Sequence, residues 1–167
     1  MSTEAAILLD TDFVSCFAWV NRMDIVEGLY SGRMIVLGEV MDELERTRHL
    51  ADIVALSIAH LHIRKVEMRA DSPEALQYVR FHESGRYGSG EAACMAYIVY
   101  HGGILASNNL SDVKRFCMTN GIGLLTTPDV LMRVYEDGRL TLNEADVLWR
   151  EMTSQRRRLP TGSFSEY

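Results

Sequence analysis

The chain has 167 residues, of which 47% are hydrophobic and 24% charged, enough for one compact domain with its own core. Its formal net charge of −6 excludes a uniformly basic nucleic-acid-binding surface, but not an acidic site that meets phosphate through metal ions. Three cysteines, Cys16, Cys94 and Cys117, sit in apolar segments without framework spacing and read as reduced, packed thiols of a cytoplasmic protein.

Short apolar runs alternate with helical patterns along the chain. The first strand is expected over residues 6–9, followed by one broken helix or two over 11–30. A second strand over 34–37 leads into helices over 38–49 and 51–64. A third strand is expected over 66–70. Next comes a helix over 73–82, with Pro73 in its first turn. Residues 89–101 are almost wholly apolar after Glu91 and predict a central buried helix. A fourth strand over 104–107, a helix over 110–119 and a fifth strand over 124–126 follow. Helices over 128–137 and 143–155 close the domain.

The strands are short and apolar throughout, as strands buried on both faces should be. Helices between successive strands imply right-handed crossovers. The expected fold class is therefore α/β, a three-layer α/β/α domain with a central, mainly parallel five-stranded sheet. It spans residues 1–155, with 156–167 as a flexible C-terminal tail. The start, Met1 to Glu4, lacks the basic region of a signal peptide, and no apolar run reaches membrane-spanning length.

Four acidic stretches mark the points where strands end or helices begin. Asp10 closes the first strand, where ligands bind in open parallel sheets. An aspartate there also caps helices, and the residue alone leaves both readings open. Asp12 reads as the cap or as a group behind the site. Glu43 shares a helix face with Val40, Leu44 and Thr47, so it borders the stripe that packs on the sheet. Glu39 and Asp42 can pair with Arg46 nearer solvent.

Glu91 opens the apolar helix after Tyr87-Gly88-Ser89-Gly90. The macrodipole favours an acid there and also keeps it ionised for a metal. Asp112 follows Asn108 and Asn109 at the start of another helix, with Ser107 or an asparagine as the expected cap. The topology makes the first and fourth strands neighbours, which gathers these residues at one edge. Gathered carboxylates repel unless something positive stands among them, most simply a hard divalent cation.

These residues resemble a PIN domain, the small metal-dependent nuclease fold of VapC-type toxins. Ile7-Leu8-Leu9-Asp10-Thr11-Asp12 is similar to the family's strand and Asp-Thr element, and Val40-Met41-Asp42-Glu43-Leu44 to its Val-x-x-Glu-Leu. Gly88-Ser89-Gly90-Glu91-Ala92-Ala93 is similar to Gly-x-Gly-Glu-Ala, and Ala106 to Asp112 to its Thr-Asn-Asn segment. Residues 137–160 resemble the helical extension of the same branch. One departure is that many PIN nucleases carry aspartate where Asn108 or Asn109 stands here.

The resemblance implies a metal-dependent endoribonuclease, either the toxin of a toxin–antitoxin pair or an RNA-processing enzyme. It implies Asp10, Glu91 and Asp112 as ligands of Mg²⁺ or Mn²⁺, with Glu43 a further ligand or the group that orients the attacking water. Asn109 would hold water or phosphate, with Asn108 as its neighbour. An antitoxin partner and a homodimer are further implications.

Other readings compete. A PIN-like domain with these asparagines can be a catalytically weak binding or scaffold module. Asp10-Thr11-Asp12-Phe13-Val14 also resembles the Asp-x-Asp motif of haloacid-dehalogenase-like phosphatases, in which the first aspartate is a nucleophile. That family's later Gly-Asp-x-x-x-Asp motif is missing, and Lys65 and Lys114 match its lysine poorly. A receiver-like fold lacks its lysine after the fifth strand. His60 and His62 face different ways on their expected helix and are not a ligand pair. Trp19, Met23 and Tyr30 read as core or dimer contacts. Arg156-Arg157-Arg158 suits RNA phosphate or a solvated helix end equally.

Overall fold

The computed structural model describes residues 4–155 and 159–167. Its strands are β1 (Ile7–Leu9), β2 (Met34–Leu37), β3 (Ile63–Val66), β4 (Ile104–Ala106) and β5 (Gly123–Leu125). They form one sheet in the order β3-β2-β1-β4-β5, and every pairing is parallel. Between β1 and β3 run α1 (Thr11–Trp19), α2 (Met23–Tyr30), α3 (Gly38–Glu45) and α4 (Arg48–Ala59). The later helices are α5 (Pro73–Glu83), α6 (Ser89–His101), α7 (Leu110–Asn120), α8 (Thr127–Glu136) and α9 (Leu142–Ser154). The result is the three-layer α/β/α fold expected from the sequence, with a sheet that is wholly rather than mainly parallel. Among the described residues, no helix is long and apolar enough to cross a membrane.

The apolar strands explain the centre. Ile7, Leu8 and Leu9 are all buried because β1 has a strand on each side and helices on both faces. The register pairs Leu9 with Ala106, so Asp10 and Ser107 leave the sheet side by side. The chain reverses its direction of travel across the sheet at β1 and β4, which makes this the switch point where such folds bind ligands. The apolar helix α6 packs against β1, β2 and β4 and is buried over most of its length, as predicted.

The segment over 11–30 is two helices. Asn21 takes a positive φ of 55°, a conformation asparagine tolerates, and Arg22 N–H bonds back to the Phe17 carbonyl. The third strand differs from expectation, lying at Ile63–Val66 rather than over 66–70. The helix before it ends at Ala59 rather than at residue 64 because Leu61 is left-handed (φ 63°) and His62 N–H bonds to the Ser57 carbonyl. That turn delivers Ile63 straight into the sheet. β3 is an edge strand, and its exposed Arg64 and Lys65 suit an edge that must not recruit another chain.

Residues 159–167, expected within a flexible tail, instead pack back on α9. Phe164, in a short 3₁₀ turn (Phe164–Glu166), is buried against Trp149. Trp149 Nε1 donates to the Thr161 carbonyl at 2.9 Å, and Ser165 N donates to Asp146 Oδ1 at 2.8 Å. The Arg156-Arg157-Arg158 run lies outside the described residues.

Candidate active site

Asp10 is both the last residue before α1 and the floor of the site. Its Oδ1 accepts from Thr11 N at 2.7 Å, so it caps the helix, and its Oδ2 accepts from Ser107 Oγ at 2.9 Å. The carboxyl is only 3% exposed. Burial, and then the neighbouring charges of Asp12 and Glu91, push its pKa well above the usual carboxylate range, against the pull of the Ser107 and Thr11 bonds. The capping role suggested for Asp12 thus belongs to Asp10. Asp12 instead accepts from Asn108 N at 3.2 Å and lines the cleft.

Glu43 is held from two sides. Thr11 Oγ1 donates to its Oε2 at 2.6 Å, and Gly90 N donates to its Oε1 at 2.8 Å. Gly90 is needed here, since a Cβ at that position would lie 2.7 Å from both Glu43 Oε2 and Thr11 Oγ1. The glycine therefore lets the start of α6 close on α3.

Glu91, 8% exposed in the first turn of α6, accepts from Asn109 Nδ2 at 2.8 Å. Burial pushes its pKa up to about 7, helped by the charges of Asp112, Asp12 and Glu43 and opposed by the Asn109 bond. The same Asn109 Nδ2 donates to Asp112 Oδ2 at 3.0 Å, so one amide bridges two acids. Asp112 also meets Arg86, with Nε 3.6 Å from its Oδ1.

The two asparagines divide their work. Asn108 faces away from the acids: its Oδ1 accepts from Thr127 N and its Nδ2 donates to Thr127 Oγ1, both at 2.8 Å. It is a structural tie between the β4–α7 turn and α8. Asn109 is the one that reaches the carboxylates.

A cleft of about 310 Å³ is lined by Asp10, Thr11, Asp12, Glu43, Glu91 and Asn109, with Gly88 at its edge. Asp112 stands behind Asn109 rather than on the cleft wall. Sequence reasoning missed the holding roles of Thr11 and Gly90 and gave Ser107 only a capping role. Ser107 is fully buried and reaches Asp10, Asp12 and Asn109 N. The signal available was a hydroxyl residue just past each of the two central strands, Thr11 after Asp10 and Ser107 after Ala106.

As placed, no three His, Cys, Asp or Glu side chains among the described residues converge tightly enough to hold a metal ion. Glu43 is turned to Thr11 and Gly90, while Glu91 and Asp112 are turned to Asn109. The donor chemistry nevertheless fits a hard cation. Every donor is oxygen, and the neighbouring acids raise the pKa of both buried carboxyls, Asp12 and Glu91 that of Asp10, and Asp112, Asp12 and Glu43 that of Glu91, in a way that a positive charge would relieve. Lys65 pairs with Glu67 on the edge strand and Lys114 is exposed on α7, so neither supplies a lysine to the cleft.

No family model matches the chain, and no curated protein matches it. Among solved structures, the chain is similar to the VapBC2 structure from Rickettsia felis bound to a DNA fragment from their promoter. That match has 14% identity and a TM-score of 0.48 and covers 72% of this chain and 98% of that one. It is also similar to FitAcB from Neisseria gonorrhoeae, at 12% identity and a TM-score of 0.39, covering 71% of this chain and 96% of that one.

Proposed function

We propose that the protein is a metal-dependent endoribonuclease of the PIN type. One observation carries the reading: the buried Asp10 carboxyl meets Asp12 and Glu91 at the switch point of the sheet, each raising its pKa. The quoted motifs support it independently. Asp10, Glu91 and Asp112, with Glu43, are the residues that would hold Mg²⁺ or Mn²⁺. When bound, such an ion acidifies a water and polarises the phosphate.

The chain's own residues set the rest. Ser107 and the Thr11 amide fix the Asp10 carboxylate, and Thr11 Oγ1 and Gly90 N fix Glu43, the residue assigned to orient the attacking water. Asn109 holds Glu91 and Asp112 together through both hydrogens of its amide nitrogen, and would meet a phosphate oxygen only by releasing one of them. An antitoxin-type protein partner and a homodimer belong to the same reading and rest on the resemblance alone, while a cytoplasmic setting rests on the three buried free cysteines.

One observation favours a second reading, a PIN-like binding module without catalysis: the Asn109 amide bridges Glu91 and Asp112 and so joins the two acids without a cation. Two measurements decide. Calorimetric titration with Mn²⁺ should show binding, whereas silence favours the module. Wild type with Mg²⁺ or Mn²⁺ should cleave cellular RNA at mapped sites and Asp10→Asn should not. Undiminished metal-dependent cleavage by cleanly purified Asp10→Asn would sink the site assignment.

A further inference from the structure

The nuclease reading leaves one feature unused, the return of residues 159–167 over α9 and the cavity it closes. This cavity has a volume of about 300 Å³. Asn108 lines it, while Asn109 lines the acid cleft, so adjacent residues of the β4–α7 turn separate the two hollows. Its walls are Leu110, Pro128, Leu159, Pro160 and Tyr167. The return is anchored by buried Phe164 and by the Trp149 and Asp146 bonds, and Tyr167 sits 5.7 Å from Trp149 between ring centroids. Leu110 and Tyr167 remain 40% and 50% exposed, so apolar surface is presented rather than packed away.

The polar groups are few. Asn108 uses both ends of its amide on Thr127. Asp129 receives Thr126 N and Thr126 Oγ1 on Oδ2, and no donor among the described residues reaches its Oδ1. A carboxylate oxygen can only accept hydrogen bonds, and it repels phosphate. Apolar walls with one free carboxylate oxygen, on the exposed Asp129, beside the Tyr167 hydroxyl suit a planar ring that carries a donor, not a nucleic-acid backbone. A hollow of this size has room for one base.

We propose that this cavity is a base pocket for a nucleotide beside the scissile phosphate. It seats the ring against Tyr167 and the prolines, and it selects bases that present an amino group, such as adenine and cytosine, over uracil. Single-stranded RNA is commonly read this way, by bases splayed onto apolar and aromatic walls with their edges hydrogen-bonded. Uracil's one ring N–H is flanked by two carbonyl oxygens that would face the Asp129 carboxylate. The inference rests on the nuclease reading of the adjoining cleft.

The test uses the full chain carrying Asp10→Asn, so that RNA is bound and not cut. Fluorescence anisotropy with labelled hexamers of A, C and U should show the first two binding more tightly than U. Adding Tyr167→Ala should weaken A and C binding about tenfold, the scale of one lost base–aromatic contact. Adding Asp129→Asn keeps the shape but supplies a donor, and should reduce the preference over U about fivefold, the scale of one hydrogen bond. A narrowed preference with folding intact is a result that general destabilisation cannot produce. Equal binding of all hexamers, or both added variants behaving like the Asp10→Asn parent, overturns the base pocket. It would leave the cavity to a protein segment or a second copy, with the nuclease reading still standing. Failure of the parent to bind any hexamer, with no cleavage by wild type, overturns both.

Discussion

Two pairs of helix starts use their acids in opposite ways. At α8 and α9 the first-turn acids complete capping boxes. Asp129 and Thr126 exchange bonds, as do Glu144 and Thr141, and each acid satisfies its own helix. At α6 and α7 no side chain caps the helix, and Glu91 and Asp112 turn instead toward Asn109 and the acid cleft. Both pairs follow the rule that acids favour helix N-termini. Only the second pair faces other acids, with Glu91 buried beside them. Local rules obeyed in one region and broken in another are what separates scaffold from candidate site.

The sharpest way to break this contrast is to neutralise the site. Asp10→Asn should lower metal-dependent RNA cleavage by at least about a hundredfold. Its circular dichroism and melting should stay those of a folded protein, because the uncharged amide relieves repulsion.

Gly90→Ala tests the close approach of α6 to α3. Helix propensity alone predicts a gain of about 0.5–1 kcal/mol. The new methyl would stand 2.7 Å from the Glu43 carboxylate, so cleavage and Mn²⁺ affinity should fall about tenfold as Glu43 is displaced. Unchanged Mn²⁺ affinity and cleavage would show that Glu43 need not sit where it is held.

The raised carboxyls predict a pH signature. A group whose folded pKa lies above its unfolded value stabilises the fold most when protonated. The contribution of Glu91 is therefore full below about 4.5 and is lost as pH rises through about 7. The chelated protein should lose melting temperature between pH 5 and pH 8, Mn²⁺ should restore it at pH 8, and Glu91→Gln should flatten the slope. A Glu91→Gln profile with the wild-type slope would exclude Glu91 as its source.

Thr141→Ala gives the smallest effect. It removes a capping box remote from the cleft and should cost about 1 kcal/mol, read by urea denaturation, with cleavage unchanged. A loss of cleavage would couple α9 to the site and blur the comparison.

Much of this was legible before any coordinates. The unbroken apolar runs of β1, β2 and β4 gave away a buried parallel sheet, and Glu91 before an apolar helix marked α6. The position of Asp10 at a strand end pointed to the switch point. The third strand was misplaced because Leu61 and His62 end α4 by a left-handed turn, and no glycine announces it. The division between Asn108 and Asn109 was also hidden, because two adjacent amides have the same chemistry and differ only in what faces them.

The sequence by itself determined the fold class, the order of the elements and the set of acids drawn to one edge. Those follow from periodicity and from the cost of burying polar groups, which act locally. Only the tertiary structure decided that Ser107 and Thr11 hold the acids, that Asn109 rather than Asn108 joins them, and that the C-terminal return closes a second hollow beside them. Each of these depends on contacts between residues far apart in the chain, and such contacts exist only once the sheet has set its register.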